Sequence, residues 1–552
     1  MKNRIFTIWF LSCLCCLDTK EIIAQTHFPP NILQNPDSLR GTLTPYRTCY
    51  DVHFYDLTIQ PNIEGKDIIG KNEIYFSVVE NFEWLQIDLF PQLVIDSIVW
   101  NNQLLTYGRK YGAVWVHFPV VLTQKSTDKV VVYYHGEPNE AKNPPWDGGF
   151  VRKKDKQGKP WITVACQGFG ASSWWPLKDH LSDEPDSQRI TIRVPNGITA
   201  VSNGVLRSVL YVENNLTEFE WFVSYPINSY SVSLNIAYYE HFSDTFWNTS
   251  GVKQLDYYVL PENLEKAKNH FQQVKTMLRC FEKYFGEYPF WRDGYCLVET
   301  PYWGMEHQTA IAYGNKFKNN YWGFDYIIIH ESGHEWFGNS ISMQDNCDMW
   351  IHESFTTYSE ALFMECTKGY EESVDYLLSE RLMIENTEPI LGPPGINYDA
   401  WKSADMYYKG AWMLHTIRNI IKNDSLWFAT IKLFCEQFKY SNTNTEQVIR
   451  FFNNQLKKDL TKVFSQFLKY KYLPVLAYGT KKKKDYCELT FYWIADVSEF
   501  DMPVDISWGT DHVKRIFPTP AKQTILLPLE ALNKISVYDR SFLVNTKLLN
   551  AK

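Results

Sequence analysis

Beyond its first two dozen residues the 552-residue chain has no apolar run long enough to cross a bilayer, which takes about 20 residues. It also lacks a basic excess: 55 Lys and Arg stand against 63 Asp and Glu, for a net charge of −8. Phosphate binding needs a basic face, so nucleic acid is excluded as a partner. The only strong basic run, "KKKKD" at 481–485, reads as a solvated linker. Short cysteine spacings of the zinc-ribbon or redox kind are missing too. Past the N-terminal stretch the cysteines are scattered at 49, 166, 280, 296, 347, 366, 435 and 487. Most read as buried thiols, with one or two disulfides permitted and none assignable. No internal repeat of solenoid or propeller period is present. What the chain has in quantity is apolar and aromatic residues, 45% and 16%, which argues against disorder and for large cores.

The N-terminus carries a short basic head, Lys2 and Arg4, then an apolar run from Ile5 to Leu17. That run is too short to span and fits a secretory signal peptide over 1–24, cleaved after Ala24. Lipid attachment at Cys13, Cys15 or Cys16 is the less favoured alternative, because none follows a small-residue box. The expectation is an exported protein, periplasmic or secreted, with no integral membrane segment after signal removal.

From about 45 to 240, stretches such as "YDVHFYDLTIQP", "AVWVHFPVVL" and "SQRITIRVP" alternate apolar and polar residues at period two, predicting an antiparallel sheet domain over 25–240. The period changes near Pro261. In "ENLEKAKNHFQQVKTMLRCFEKYFG", Leu264, Ala267, Phe271, Val274, Leu278 and Phe281 recur every three or four residues, as in an amphipathic helix. Helical patterns then dominate, giving a second domain over 241–478. Strand patterns return in "CELTFYWIADV" and "TILLPLEAL", predicting a small C-terminal β module over 486–552. The fold class is multidomain α+β.

Within the helical part, "FDYIIIHESGHEWFG" sets His330 and His334 four residues apart, on one helix face. Glu331 sits beside the first histidine, where a carboxylate can take a proton from a water held at a metal. A catalytic zinc site needs a third protein ligand. Glu353 supplies a candidate in "MWIHESFTTYSEALF", a second helix with an apolar stripe of Trp350, Phe355, Tyr358 and Leu362. His352, about 100° round that helix from Glu353, reads as structural.

This pattern, a histidine pair followed after eighteen residues by a glutamate, resembles the gluzincin family of M1 zinc aminopeptidases, the group of aminopeptidase N and leukotriene A4 hydrolase. "WFGN" at 336–339 fits the same family. "WGMEHQ" is similar to the family's Gly-x-Met-Glu-Asn segment, with Trp303 in place of the first glycine and His307 in place of the asparagine. The resemblance makes Glu306 the residue that binds the substrate's α-amino group, with Gly304 and Met305 beside it as substrate-binding positions. "MYYKGAW" resembles the Tyr-x-Lys-Gly segment and puts Tyr407 at the transition-state position. Gln167 matches a glutamine that helps hold the free amino terminus. Tyr302 and Trp303 read as pocket wall. The likeness covers 45 to about 470 and implies a saddle-like N-terminal β domain and a thermolysin-like, mostly helical catalytic domain.

The resemblance thus implies one Zn2+ per chain on His330, His334 and Glu353, with Glu331 as general base and Tyr407 on the oxyanion. The substrate is a peptide with a free N-terminus, cut at its first bond. Two other readings stand beside it. One is a related zinc hydrolase, an endopeptidase or epoxide hydrolase. Glu306 argues against the first, and the lack of the family's long helical C-terminal domain argues against the second. The other is a metal-free binding protein on the same fold, disfavoured because ligands, base and tyrosine occur together.

Overall fold

The computed structural model describes residues 28–509 and 512–549. The signal-peptide reading of 1–24 lies outside the described residues.

The N-terminal part is β-rich, as its alternation predicts. Its largest sheet has eight strands, with Tyr50–Pro61 near the centre between Ser187–Pro195 and Ile68–Val78. The pairing of Tyr50–Pro61 with Ser187–Pro195 is parallel, a departure from an all-antiparallel sheet. The chain between Gly136 and Ser187 leaves this sheet to build Gly149–Lys154 and Pro160–Ala165 of a second one, and it re-enters in the same sense. In Tyr50–Pro61 the alternation slips once. Val52 is buried, then Tyr55, Leu57 and Ile59, because a bulge between Val52 and Phe54 resets which face points inward.

The next domain opens on a five-stranded sheet that runs Glu240–Asn248, Gly251–Val259, Tyr295–Glu299, Ile311–Tyr313, Gly304–Met305, with the last at the edge. This sheet sits between the molecule's two large cores. Leu297, Ile311 and Tyr313 pack with the helices, while Val298, Met305, Ala310 and Ala312 pack with the N-terminal sheets. Period two therefore splits alternate residues between two domains. The predicted helix over 262–286 forms as two pieces, Leu264–His270 and Gln273–Phe285, and buries Ala267, Phe271, Val274, Leu278 and Phe281. A disulfide joins Cys280 of the second piece to Cys366.

The C-terminal β module begins earlier than expected. Val475–Lys483 is a strand, paired as a hairpin with Tyr486–Ile494. The lysine run is thus no linker: Lys481, Lys482 and Lys483 face Glu488, Cys487 and Tyr486 across the ladder. All the lysine side chains at the tip are exposed, so their charge stays solvated while the backbone pairs. Nor does the module have a core of its own. Leu476, Phe491 and Trp493 belong to the same apolar cluster as Trp412 and Ile417 of the helical domain. The Arg515 guanidinium reinforces the junction by donating to the carbonyls of Asn419 and Ile420, which lie in the last turn of helix Asp405–Ile421 and have no intrahelical partner. No described helix is long and apolar enough to cross a membrane.

Candidate metal centre and active site

Two helices meet at the motif. The histidine helix, Tyr326–Gly333, starts at Asp325, whose side chain accepts from Ile327 N. It ends one residue before His334, which keeps right-handed helical angles as the C-cap, so the four-residue spacing still places both imidazoles together. The glutamate helix, Trp350–Lys368, is buried on every face from Trp350 to Met364. The expected apolar stripe is real, but the opposite face is buried as well, because Ser354, Thr356, Ser359 and Glu360 serve the site and its contacts with neighbouring helices. Gly333 makes the close approach of the two helices feasible, since a Cβ there would reach 2.7 Å from Ser359 Oγ.

Three donor atoms converge. His330 Nε2 and His334 Nε2 lie 3.2 Å apart, and Glu353 Oε2 is 3.5 Å and 3.4 Å from them. Bonds of about 2.0–2.1 Å to a tetrahedral ion imply donor separations of about 3.3–3.4 Å. The donor set therefore fits zinc in spacing as well as chemistry. Glu353 Oε2 is also buried without a hydrogen-bond partner, which is costly unless a cation meets it.

The rear nitrogens are engaged. His330 Nδ1 lies 2.7 Å from Glu360 Oε1, and Tyr376 OH donates to the other oxygen of that carboxylate. His334 Nδ1 donates to Phe337 O at 2.9 Å. A carbonyl can only accept, so the proton sits on Nδ1 and the Nε2 lone pair faces the centre. Glu360 went unnoticed in the sequence, although it lies seven residues after Glu353, two turns along the same helix face.

Electrostatics mark the cluster as a seat for positive charge. Burial works against ionising Glu353, yet His334 and His330 hold its carboxyl well below the usual range. Burial likewise works against charge on His334, but the carboxylates of Glu353 and Glu306 push it up to about 9. Burial pushes Glu331 up to about 7, with the two histidines opposing. The neighbouring Glu335, also raised to about 7 by burial, accepts from Tyr288 OH at 2.7 Å and Thr309 N at 3.0 Å. It ties the histidine segment to the loop after Glu306.

Glu306, Glu331 and His334 each offer an atom within 4.8 Å of the others. Glu306 Oε1 accepts from Gln167 Nε2 at 2.5 Å and from Tyr230 OH at 3.1 Å, which leaves Oε2 for a ligand. Gln167 lies in a turn after strand Pro160–Ala165 rather than in a strand. Tyr230 carried no sequence signal. Its other neighbour is His352 Nδ1 at 3.3 Å, whose Nε2 accepts from Met343 N, so His352 is structural, as expected. Gly304 leaves room for the base candidate, since a Cβ there would lie 2.4 Å from Glu331 Oε1 and force that carboxylate to shift. Met305 borders the cavity with its side chain in the N-terminal core.

Tyr407, on helix Asp405–Ile421, stacks on His330 with ring centroids 5.9 Å apart. Its hydroxyl makes no hydrogen bond within the described protein. Burial and the nearby Glu353 raise its pKa well above the ordinary value, so it stays a donor. Lys409 turns away and donates to the carbonyls of Tyr470 and Lys471. Gly410 lets Ser354 of the glutamate helix pack against the tyrosine helix. Tyr302 is not pocket wall: it is buried, with its hydroxyl donating to Val164 O. Trp303 does border the cavity. His307 is fully buried, with both ring nitrogens unpartnered among the described residues. The cavity in front of the cluster measures about 520 Å³.

The family model described as the peptidase family M1 domain matches residues 270–467. Endoplasmic reticulum aminopeptidase 1 of Homo sapiens is 24% identical over 342 residues, covering 58% of this chain and 35% of the relative. Aminopeptidase B of Mus musculus is 25% identical over 338 residues, covering 56% of this chain and 50% of the relative. The chain thus spans half or less of these relatives' lengths. Among solved structures, an M1 zinc metallopeptidase from Deinococcus radiodurans superposes with a TM-score of 0.67 at 20% identity, over 80% of this chain and 98% of that one. A mutant of that metallopeptidase, bound to a Tyr-Ser-Ala substrate, matches with a TM-score of 0.66. The stretch that matches the M1 domain includes the three converging donors, Glu331 and Tyr407, on the histidine, glutamate and tyrosine helices, and it is over this stretch that the chain is similar to peptidase family M1.

Proposed function

We propose that this protein is a zinc-dependent aminopeptidase that hydrolyses the first peptide bond of substrates with a free amino terminus. The observation that carries this reading is Glu306: a carboxylate held by Gln167 and Tyr230, with one oxygen open, close to Glu331 and His334. A substrate ammonium seated there puts the first peptide bond, and no later one, beside the base.

His330, His334 and Glu353 would hold zinc, which supplies Lewis-acid polarisation of the carbonyl and lowers the pKa of water. Glu331, buried and raised toward neutrality, is poised to take the proton of the attacking water and deliver it to the leaving amine. Tyr407 donates to the carbonyl oxygen as negative charge grows on it. Glu306 and Gln167 fix the amino terminus through a charge-assisted contact. Export is part of the proposal, supported by the basic-then-apolar N-terminal sequence and by the Cys280–Cys366 disulfide, a bond rare in reducing compartments.

The test is kcat/KM on one peptide with and without an acetyl group on its terminus. Acetylation removes the charge that Glu306 pairs with, and leaving a buried charge unpaired costs about 2–5 kcal/mol. The acetylated peptide should be cut at least about 30-fold less efficiently. Equal values would sink the aminopeptidase reading.

A further inference from the structure

Two tryptophans border the catalytic cavity yet stay open to solvent: Trp303 is 45% exposed and Trp146 57%. They come from different domains. Trp303 precedes edge strand Gly304–Met305, while Trp146 lies in the loop before strand Gly149–Lys154 of the N-terminal part. Their ring centroids are 6.4 Å apart.

Both are held in place. Trp303 stacks on Tyr326 at 5.4 Å and donates its indole N–H to Asn315 Oδ1 at 3.2 Å. Tyr326 in turn stacks on His330 at 5.2 Å. The loop of Trp146 is pinned by Asp147, whose Oδ2 accepts from Lys142 N and Asn143 N, both at 2.6 Å. An aromatic rail therefore runs from the histidine cluster out to the cavity rim.

Position along the chain shows which part of a substrate meets this rail. Glu306 takes the ammonium, and Gly304 lies against the Glu331 carboxylate. Trp303 comes one residue further in the same direction, three positions before Glu306 and directly ahead of the short edge strand Gly304–Met305. A peptide threaded from Glu306 past Glu331 reaches Trp303 just after its first peptide bond.

We propose that Trp303 and Trp146 form an aromatic platform for the residue that follows the scissile bond. The preferred substrates are peptides whose second residue is aromatic or large and apolar. This rests on the aminopeptidase reading and adds to it a selectivity for the leaving side. Two indoles provide broad faces for offset or edge-to-face contact, and a bound side chain would remove their exposed surface from water.

The experiment uses dipeptide amides with one constant first residue and glycine, leucine or tryptophan second, together with the amide of the first residue alone. Wild-type kcat/KM should rise by roughly 3- to 10-fold from glycine to tryptophan, the range expected for aromatic contacts. In Trp303→Gly, and separately in Trp146→Ala, the tryptophan-to-glycine ratio should fall toward one. If either variant fails to fold, the other and Trp303→Phe, which keeps a ring, carry the test. A flat wild-type series, or a ratio that survives in every folded variant, overturns the platform. A change in preference for the first residue instead of the second also overturns it, placing the indoles on the amine side. Failure to cut any free-amine substrate, the simple amide included, would instead sink the underlying aminopeptidase reading.

Discussion

At the scale of single residues, the proposed mechanism separates holding a metal from moving a proton. Glu331 is outside the three converging donors, so Glu331→Gln should retain zinc while turnover falls on the order of 10²–10⁴-fold. Metal analysis alongside single-turnover rates checks both halves. Tyr407 lines the cavity, and on the proposed mechanism Tyr407→Phe should lower kcat more than it raises KM, because a bond to the oxyanion strengthens as charge develops. Glu360 works from behind His330. Glu360→Gln should weaken zinc affinity by roughly 10- to 100-fold, read by chelator competition, with the fold intact by circular dichroism. The convergence of His330, His334 and Glu353, with Glu331 beside them, was legible in sequence because their spacing is encoded in two local helices. Tyr230 and Glu360 were not, since nothing in "NSYSV" or "SEALF" shows which cavity a side chain enters.

Elements then decide how rigidly those residues are held. The glutamate helix is buried through four turns and tied by Cys366 to Cys280 of helix Gln273–Phe285. The bond closes a long loop, 86 residues in sequence separation, and such disulfides typically contribute about 2–4 kcal/mol. The Cys280→Ser, Cys366→Ser pair should therefore melt at lower temperature but bind zinc with unchanged stoichiometry. A denaturant titration and metal analysis give the comparison. Periodicity predicted this helix as one-sided, whereas it is buried all round, because polar residues such as Ser354 and Thr356 meet partners rather than water. For a similar reason the lysine run at 481–484 looked like a linker: charge is a poor strand signal, and only the ladder opposite Tyr486–Glu488 makes it one.

For the whole molecule, the site lies where two cores abut. The edge strand Gly304–Met305 borders the N-terminal core, and the histidine and glutamate helices belong to the other. Gln167 and Tyr230 reach Glu306 across that boundary. One zinc per chain is expected. Removing it should abolish activity and lower the melting temperature, because an ion bound only by the native state stabilises it by mass action. A chelated sample with full activity or an unmoved transition would contradict the assignment. The sequence by itself determined the order of β-rich, helical and β-rich parts, the four-residue histidine spacing and the glutamate that follows, since periodicity and i, i+4 geometry are local. Tertiary structure alone decided that the C-terminal strands share the helical core, that Cys280 pairs with Cys366, and that Glu306 keeps one oxygen open. Each of these depends on contacts between segments far apart in the chain, and no local pattern records which distant surfaces fold against each other.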